Sequence, residues 1–161
     1  MRRILISGLL AALIVFSSCE QEPVNPGDFT LQPTLEVVQI TDTSGTNYPF
    51  AIQRSIDTTY RSGKKGKYIE LDTILLNAAR GEIQIRVATN ARWLAPIPDF
   101  QGKIAWLQTQ ISSGAGDGII KARLSPGLAK ARRPILANQY IYTRDSLVMY
   151  RVIFNQKAQN E

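Results

Sequence analysis

EIQIRVAT, residues 82–89, alternates apolar and polar side chains without a break. Successive side chains on an extended chain point to opposite sides, so the large aliphatic residues of this stretch share one face. These residues are Ile83, Ile85 and Val87. We therefore predict a β-strand with one face in a core and the other in solvent.

Seven further segments around this stretch are short and rich in β-branched or aromatic residues. Turn-forming residues separate them, and regular short strands of this kind are typical of a β-sandwich. We therefore predict an all-β fold, an immunoglobulin-like antiparallel β-sandwich. The predicted strands are 34–41, 48–56, 67–76, 82–89, 104–111, 118–124, 135–143 and 147–154.

Residues 1–18 have the three-part layout of a secretory signal peptide. Arg2 and Arg3 precede an apolar run from Ile4 to Phe16, and two serines follow it. A helix that spans a membrane needs roughly 20 apolar residues, and this run is shorter. The length disfavours the alternative, a retained membrane helix.

Cys19 directly follows the predicted signal peptide and is the only cysteine of the chain. Small residues before a cysteine at the end of an apolar run resemble the cleavage site of bacterial lipoproteins. The resemblance implies that Cys19 becomes the first mature residue and carries the lipid; an ordinary signal peptide is the alternative. Two or more acyl chains anchor a protein stably, because each buried methylene contributes about 0.8 kcal/mol. The membrane is then a partner through Cys19, and the polar segment 19–29 is predicted to be a tether.

Glu20 and Glu22 resemble the acidic surface-export signals of Bacteroidetes lipoproteins. We therefore predict a lipid-anchored outer-membrane protein at the cell surface, with the periplasmic face as the alternative. Cleavage removes two of 19 basic residues and none of the 13 acidic ones, which leaves a net charge of +4. Such a modest charge does not favour nucleic acid as a partner.

The residue types needed for several kinds of catalysis are missing from the sequence. The chain contains no histidine, which excludes a Cys/His nucleophile and a zinc site built from cysteine and histidine. Glu70 and Asp72 share one face of a predicted strand, but this spacing alone does not make two carboxylates converge on a cleft. We predict a non-catalytic protein with no cofactor and no metal.

Four segments carry a resemblance to a known module, the BACON domain of Bacteroidetes surface and secreted proteins. The module is a β-sandwich, and the match covers about 90 residues. The segments are GEIQIRVATNARW (81–93), IAWLQTQISSGAGDG (104–118), ARRPILANQYIY (131–142) and YRVIFNQ (150–156).

The resemblance implies a BACON-like sandwich over residues 67–157. Residues 30–66 do not match the pattern and are predicted to be an N-terminal β extension whose strands complete or flank the sandwich. Segment 125–131 departs from the family, which often has an asparagine there. The family's name reflects a proposed carbohydrate-binding role, so the resemblance implies a glycan or mucin ligand. The alternative is a structural accessory subunit or spacer of a cell-envelope assembly, with an envelope protein as partner.

The last predicted hairpin offers candidate residues for sugar binding. Sugars stack their C–H faces on aromatic rings, and their hydroxyls need polar side chains nearby. A turn centred on residues 144–145 would place two tyrosines, an asparagine and an arginine on one outward face. A one-residue slip would exchange the two faces, and a protein-contact face is the alternative. The predicted cross-strand pairs are Tyr142–Leu147, Tyr140–Met149 and Asn138–Arg151.

Trp93 completes the candidate carbohydrate-binding set because it lies at a strand end. Core packing is the alternative for Trp93. It is the expected role of Trp106, which has the apolar neighbours Ile104, Ala105 and Leu107.

Overall fold

The computed structural model of the protein describes residues 32–100 and 105–161. Every regular element within these ranges is a strand, and the strands form two sheets with an apolar core between them. The predicted all-β sandwich is confirmed. The strands are β1 (Leu35–Asp42), β2 (Ile52–Thr59), β3 (Lys65–Leu76), β4 (Gly81–Thr89), β5 (Arg92–Leu94), β6 (Asp99–Phe100), β7 (Leu107–Thr109), β8 (Ser113–Ala115), β9 (Gly118–Leu124), β10 (Ala137–Thr143) and β11 (Val148–Gln156).

The smaller sheet has the strand order β1-β4-β9-β7, and its neighbouring strands all run antiparallel. One of its two central strands, β4, is the stretch whose alternating side chains predicted a half-buried strand. Ile83, Ile85 and Val87 are almost completely buried, whereas Arg86 is exposed. The period of two therefore assigns the core face of β4 correctly.

The larger sheet has the order β2-β3-β11-β10-β5-β8, and β6 also pairs with β10. One pair of neighbouring strands, β3 and β11, runs parallel, whereas its other pairs are antiparallel. This parallel pair departs from the antiparallel arrangement that the sequence predicted. It joins strands from distant parts of the chain, so no local turn signal could have indicated its direction.

The predicted N-terminal extension supplies one strand to each sheet. β1 lies at an edge of the smaller sheet and buries Leu35, Val37 and Ile40 in the shared core. β2 lies at an edge of the larger sheet, and all of its residues are exposed. β1 therefore completes the sandwich, and β2 flanks it.

Three short strands, β5, β6 and β8, are absent from the sequence prediction. Each has two or three residues, too few to show a period in the sequence. The predicted strand 104–111 is represented by the three residues of β7, and the predicted strand 48–56 begins four residues later, at Ile52.

The predicted signal peptide (1–18), Cys19 and the tether (19–29) lie outside the described residues. In the ranges 32–100 and 105–161, no helix is long and apolar enough to cross a membrane.

Asp42 organises the turn that follows β1. Its carboxylate accepts hydrogen bonds from the N–H groups of Ser44 (3.0 Å) and Thr46 (2.9 Å), from the Ser44 hydroxyl and from the Tyr48 hydroxyl (2.9 Å). Burial alone would raise the pKa of Asp42, but these hydrogen bonds outweigh it and lower the pKa from 3.8 to about 2. The turn is therefore held by an ionised carboxylate.

Replacing Asp42 by asparagine is expected to lower the free energy of unfolding by about 1 kcal/mol at pH 7, a value discounted for partial exposure. Because the folded-state pKa is lowered, the stabilisation is present above pH 3.8 and is lost as the pH falls towards 2. Urea unfolding from pH 7 down to pH 2 measures the difference between the two proteins. A difference that stays constant over this range would contradict the assignment.

Candidate functional site

The β10–β11 hairpin has a longer turn than the sequence predicted. The observed pairs are Tyr142–Met149, Tyr140–Arg151 and Asn138–Ile153, which shifts the register by two residues. Asp145 stabilises the turn, because its carboxylate accepts hydrogen bonds from the Thr143 hydroxyl (2.6 Å) and from the Leu147 N–H (3.2 Å). Ser146 adopts a positive φ of 58° there. The predicted cross-strand partners were therefore wrong. The predicted faces are unchanged, because a register shift of two residues keeps each side chain on the same side of the sheet.

Neighbouring strands extend this face of the hairpin across the larger sheet. We name this surface, turned away from the smaller sheet, the outer face. Residues directly opposite each other on neighbouring strands share a face, so the pairing defines two rows of side chains. One row is Ile56, Tyr68, Met149, Tyr142 and Leu94, and the next is Arg54, Glu70, Arg151 and Tyr140.

Four of the six tyrosines of the chain lie on the outer face. Tyr68, Tyr140 and Tyr142 occupy the two rows and are half-buried. Tyr60 lies over Gly66, where a Cβ atom would come within 2.4 Å of its ring, and its hydroxyl donates to the Ser146 carbonyl (3.1 Å). Gly66 is two residues before Tyr68 on the same strand and therefore also lies on the outer face.

Arg151 forms the polar centre of the outer face. Its Nη1 lies 2.7 Å from Glu70 Oε2, and its Nε and Nη2 donate to Asn138 Oδ1 at 3.1 and 2.9 Å. The Tyr68 hydroxyl donates to the same Glu70 oxygen at 3.1 Å. The guanidinium is thus held in one orientation beside the tyrosines by two side chains from different strands.

Electrostatics fix the protonation states of this centre. The hydrogen bond from Arg151 holds the pKa of Glu70 below its usual value, with a smaller contribution from the Tyr68 hydroxyl. Burial raises the pKa of Tyr68, and the hydrogen bond to Glu70 raises it further. At neutral pH the centre therefore contains a carboxylate, a guanidinium and a neutral phenol that acts as a donor.

Asn138 is on the predicted face, but it is only 5 % exposed. The predicted exposure of its amide is therefore wrong. The amide oxygen accepts from Arg151, and the amide nitrogen donates to the Asp99 carbonyl (3.5 Å). Its structural effect is to orient Arg151.

Trp93 is 3 % exposed and belongs to the core, so its ring offers no open face to a sugar. The indole N–H donates to the Gly116 carbonyl at 3.0 Å. A Cβ atom at Gly114 or Gly118 would come within 2.4 or 2.9 Å of the ring. The glycine-rich segment after β7 therefore has a packing role: its missing side chains make room for Trp93.

Tyr60, Tyr68, Arg54 and Glu70 were not among the predicted site residues. Tyr68 and Glu70 alternate with buried Ile69 and Leu71, which indicates that they share the outward face of β3. Their approach to Arg151 depends on the parallel β3–β11 pair, which has no signature in the sequence. No three potential metal ligands among His, Cys, Asp and Glu cluster within the described ranges.

Comparison with known proteins finds distant structural similarity. No model of a known protein family matches the chain, and no curated protein matches it either. A Bacteroides ovatus GH5 xyloglucanase, solved with a XXXG heptasaccharide, is similar at 12 % identity and a TM-score of 0.42 over 53 % of this chain and 17 % of that chain. A Bacteroides thetaiotaomicron protein solved by NMR is similar at 12 % identity and a TM-score of 0.38, over 75 % of this chain and 97 % of that one.

Proposed function

We propose that this chain is a non-catalytic, lipid-anchored outer-membrane protein that binds carbohydrate on the outer face of its larger sheet. The observation that carries the proposal is the arrangement of Tyr140, Tyr142 and Tyr68 around the oriented Arg151–Glu70 pair. The resemblance of residues 67–157 to the BACON domain supports it. The N-terminal features that resemble a lipoprotein support the anchor at Cys19 and exposure at the cell surface.

The chemistry of this face suits a sugar. Half-exposed phenol rings provide apolar surface for the C–H faces of a pyranose, and their hydroxyls add donors and acceptors. Arg151 is about 30 % exposed and still faces solvent between its two hydrogen-bonding partners. A fixed donor beside aromatic rings can orient a sugar hydroxyl at little entropic cost.

Glu70 is not suited to the role of a general acid. A general acid in glycoside hydrolysis needs a raised pKa so that it carries a proton at neutral pH. The pKa of Glu70 is lowered by Arg151, so its carboxylate stays ionised and acts as an acceptor. Glu70 therefore does not serve as a general acid, and in the proposed site it accepts hydrogen bonds from a bound sugar.

The double variant Tyr140→Ala/Tyr142→Ala is expected to reduce glycan affinity at least 10-fold, since stacking of a sugar on each of the two aromatic rings contributes about 1 kcal/mol. The full-length chain in mild detergent is first screened on a glycan array and against insoluble polysaccharides. Isothermal titration with the strongest hit then compares the variants. Because the tyrosines are half-buried, circular dichroism verifies that the double variant is folded.

The matched control is Arg86→Ala/Ile119→Ala, a cross-strand pair of exposed residues on the smaller sheet. It is expected to leave affinity unchanged. An equal loss in both variants, or none in either, would reject the tyrosine face as the site. Absence of any hit with folded protein would reject carbohydrate binding itself.

β2 favours a second candidate function, a structural subunit or spacer of an envelope assembly. This edge strand pairs only with β3 among the described strands, and Ile52 and Ile56 on it are exposed. An exposed edge can add a strand from another chain through backbone hydrogen bonds. Crosslinking in intact cells that joins β2 to one envelope protein, together with a negative glycan screen, would favour this function.

A further inference from the structure

A shallow depression lies at the edge of the outer face, between β5, β8 and the β10–β11 turn. Arg92 and Arg144 line it together with Leu94 and the short β8 strand. Arg92 lies on β5 and Arg144 directly follows β10, and the Arg144 N–H donates to the Arg92 carbonyl at 2.8 Å. The depression therefore brings two cations from different parts of the chain to one place.

Neither guanidinium has a partner in the described part of the protein: no hydrogen bond or ion pair of the Arg92 or Arg144 side chain is present there. The lining of the depression contains no acidic residue. Arg151 and Arg132 differ in this respect, because Glu70 and Glu161 neutralise them at 2.7 and 2.8 Å. The two arginines of the depression are thus not paired with a carboxylate within the described residues.

The acids in the adjoining turns accept hydrogen bonds from neutral groups, so they keep their negative charge but form no ion pair with the two arginines. Asp145 accepts from the Thr143 hydroxyl and from the Leu147 N–H, and Asp117 accepts from the Thr89 N–H at 2.9 Å. Like charges on neighbouring strands repel each other and destabilise a sheet. An anion between the two guanidiniums would remove this repulsion and gain charge-assisted hydrogen bonds.

The depression is continuous with the tyrosine rows. Leu94 pairs with Tyr142, and Arg92 is two residues along the same strand, so it has the same face. Two residues of a strand span roughly 7 Å. A glycan that stacks on Tyr142 would therefore reach the arginines with a neighbouring substituent.

We propose that Arg92 and Arg144 form an anion subsite, and that the glycan class of this protein is acidic, with carboxylate or sulfate groups. The inference rests on the proposed function and extends the same site. Planar guanidiniums are suited to carboxylate and sulfate, because their paired N–H groups match two oxygens at once.

The test compares dextran sulfate with dextran, two polymers that share a backbone and differ in charge, and adds polygalacturonate as the carboxylate probe. The full-length chain and its Arg92→Gln/Arg144→Gln variant are titrated at 150 mM salt. The variant is expected to lose at least 10-fold in affinity for dextran sulfate or polygalacturonate. The control Arg80→Gln/Arg86→Gln removes the same charge at two exposed positions elsewhere, and its affinity should fall no more than about twofold.

The outcomes separate the two proposals. If Arg92→Gln/Arg144→Gln (the depression variant) loses affinity for an acidic polymer and Tyr140→Ala/Tyr142→Ala does not, the anion subsite is supported and the tyrosine face is rejected. If the depression variant and the control Arg80→Gln/Arg86→Gln lose affinity equally, the subsite is overturned, because the lower net charge alone would explain the weaker binding. No binding of either acidic polymer would overturn it as well, even if a neutral glycan binds. Binding to phosphatidylglycerol vesicles alone, lost in the depression variant, would overturn the glycan assignment in favour of a lipid headgroup.

Discussion

Replacing Trp106 by alanine is expected to lower the free energy of unfolding by about 4 kcal/mol, close to the upper end for a core substitution. Trp106 is 2 % exposed and lies in the core between the two sheets. Its removal deletes one of the two buried tryptophan side chains of the described protein and leaves a cavity between two packed sheets.

Trp106 also makes contacts that stabilise the long connection between β9 and β10. Its indole N–H donates to the Ile135 carbonyl at 3.1 Å, and the Arg133 guanidinium lies 5.7 Å from its ring. Arg133 in turn donates to the buried Gln156 side chain (3.0 Å) and to the Pro126 carbonyl (2.5 Å). We therefore expect hydrogen exchange over residues 125–136 to accelerate in the alanine variant beyond the global change in stability.

Trp106→Phe is the matched control for this prediction. It keeps an aromatic ring in the core but cannot donate to Ile135, so a loss of about 1–2 kcal/mol is expected. Chemical unfolding monitored by circular dichroism compares the three proteins. If the two variants lose the same free energy of unfolding, the cavity is not the main cause of the loss. The missing hydrogen bond to Ile135 would then account for it.

The sandwich could be predicted from the sequence because its signal is local. The alternation in β4 and the turn residues between strands arise from the period of two and from backbone conformation, and both are visible in one sequence. The pairing of β3 with β11 is not local, and neither is the pairing of the edge strand β1 with β4. Such contacts join strands that are distant in sequence, and no residue pattern within either strand specifies its partner.

The candidate site shows the same division. The faces of Tyr140, Tyr142 and Arg151 follow from alternation and survive an error of two residues in register. The burial of Asn138 and Trp93 does not follow from it, because their cover comes from residues distant in sequence: Asp99, Gly114 and Gly118. Sequence periodicity thus identifies the side on which a residue lies, and the fold decides whether that side is open.

Replacing Arg151 by methionine is expected to lower the free energy of unfolding by about 2–3 kcal/mol at pH 7. Methionine keeps much of the aliphatic volume but leaves the Glu70 carboxylate, which is 15 % exposed, without its 2.7 Å partner. Breaking a fully buried ion pair costs about 3–5 kcal/mol, and partial exposure of Arg151 reduces this. The Asn138 side-chain oxygen also loses the two hydrogen bonds that it accepts from Arg151.

The pH dependence identifies the cause. The pKa of Glu70 is lowered in the wild-type fold, so the pair stabilises the protein above the usual carboxyl pKa of 4.5 and loses this effect as the pH falls through the lowered value. Without Arg151, burial favours the neutral acid instead. The stability difference between wild type and Arg151→Met is therefore expected to be largest near pH 7 and to narrow below pH 4.5.

The double variant Glu70→Gln/Arg151→Met separates the effect on stability from the effect on binding. The uncompensated carboxylate is gone, so the double variant is expected to recover about 1–2 kcal/mol relative to Arg151→Met. If Arg151 contacts the glycan directly, the recovered protein will still bind weakly, because the fixed donor is missing. If affinity returns together with stability, the Arg151–Glu70 pair only holds the sheet in shape, and the tyrosines alone would carry recognition. A double variant no more stable than Arg151→Met would show that the lost Asn138 contacts, and not the carboxylate, account for the destabilisation.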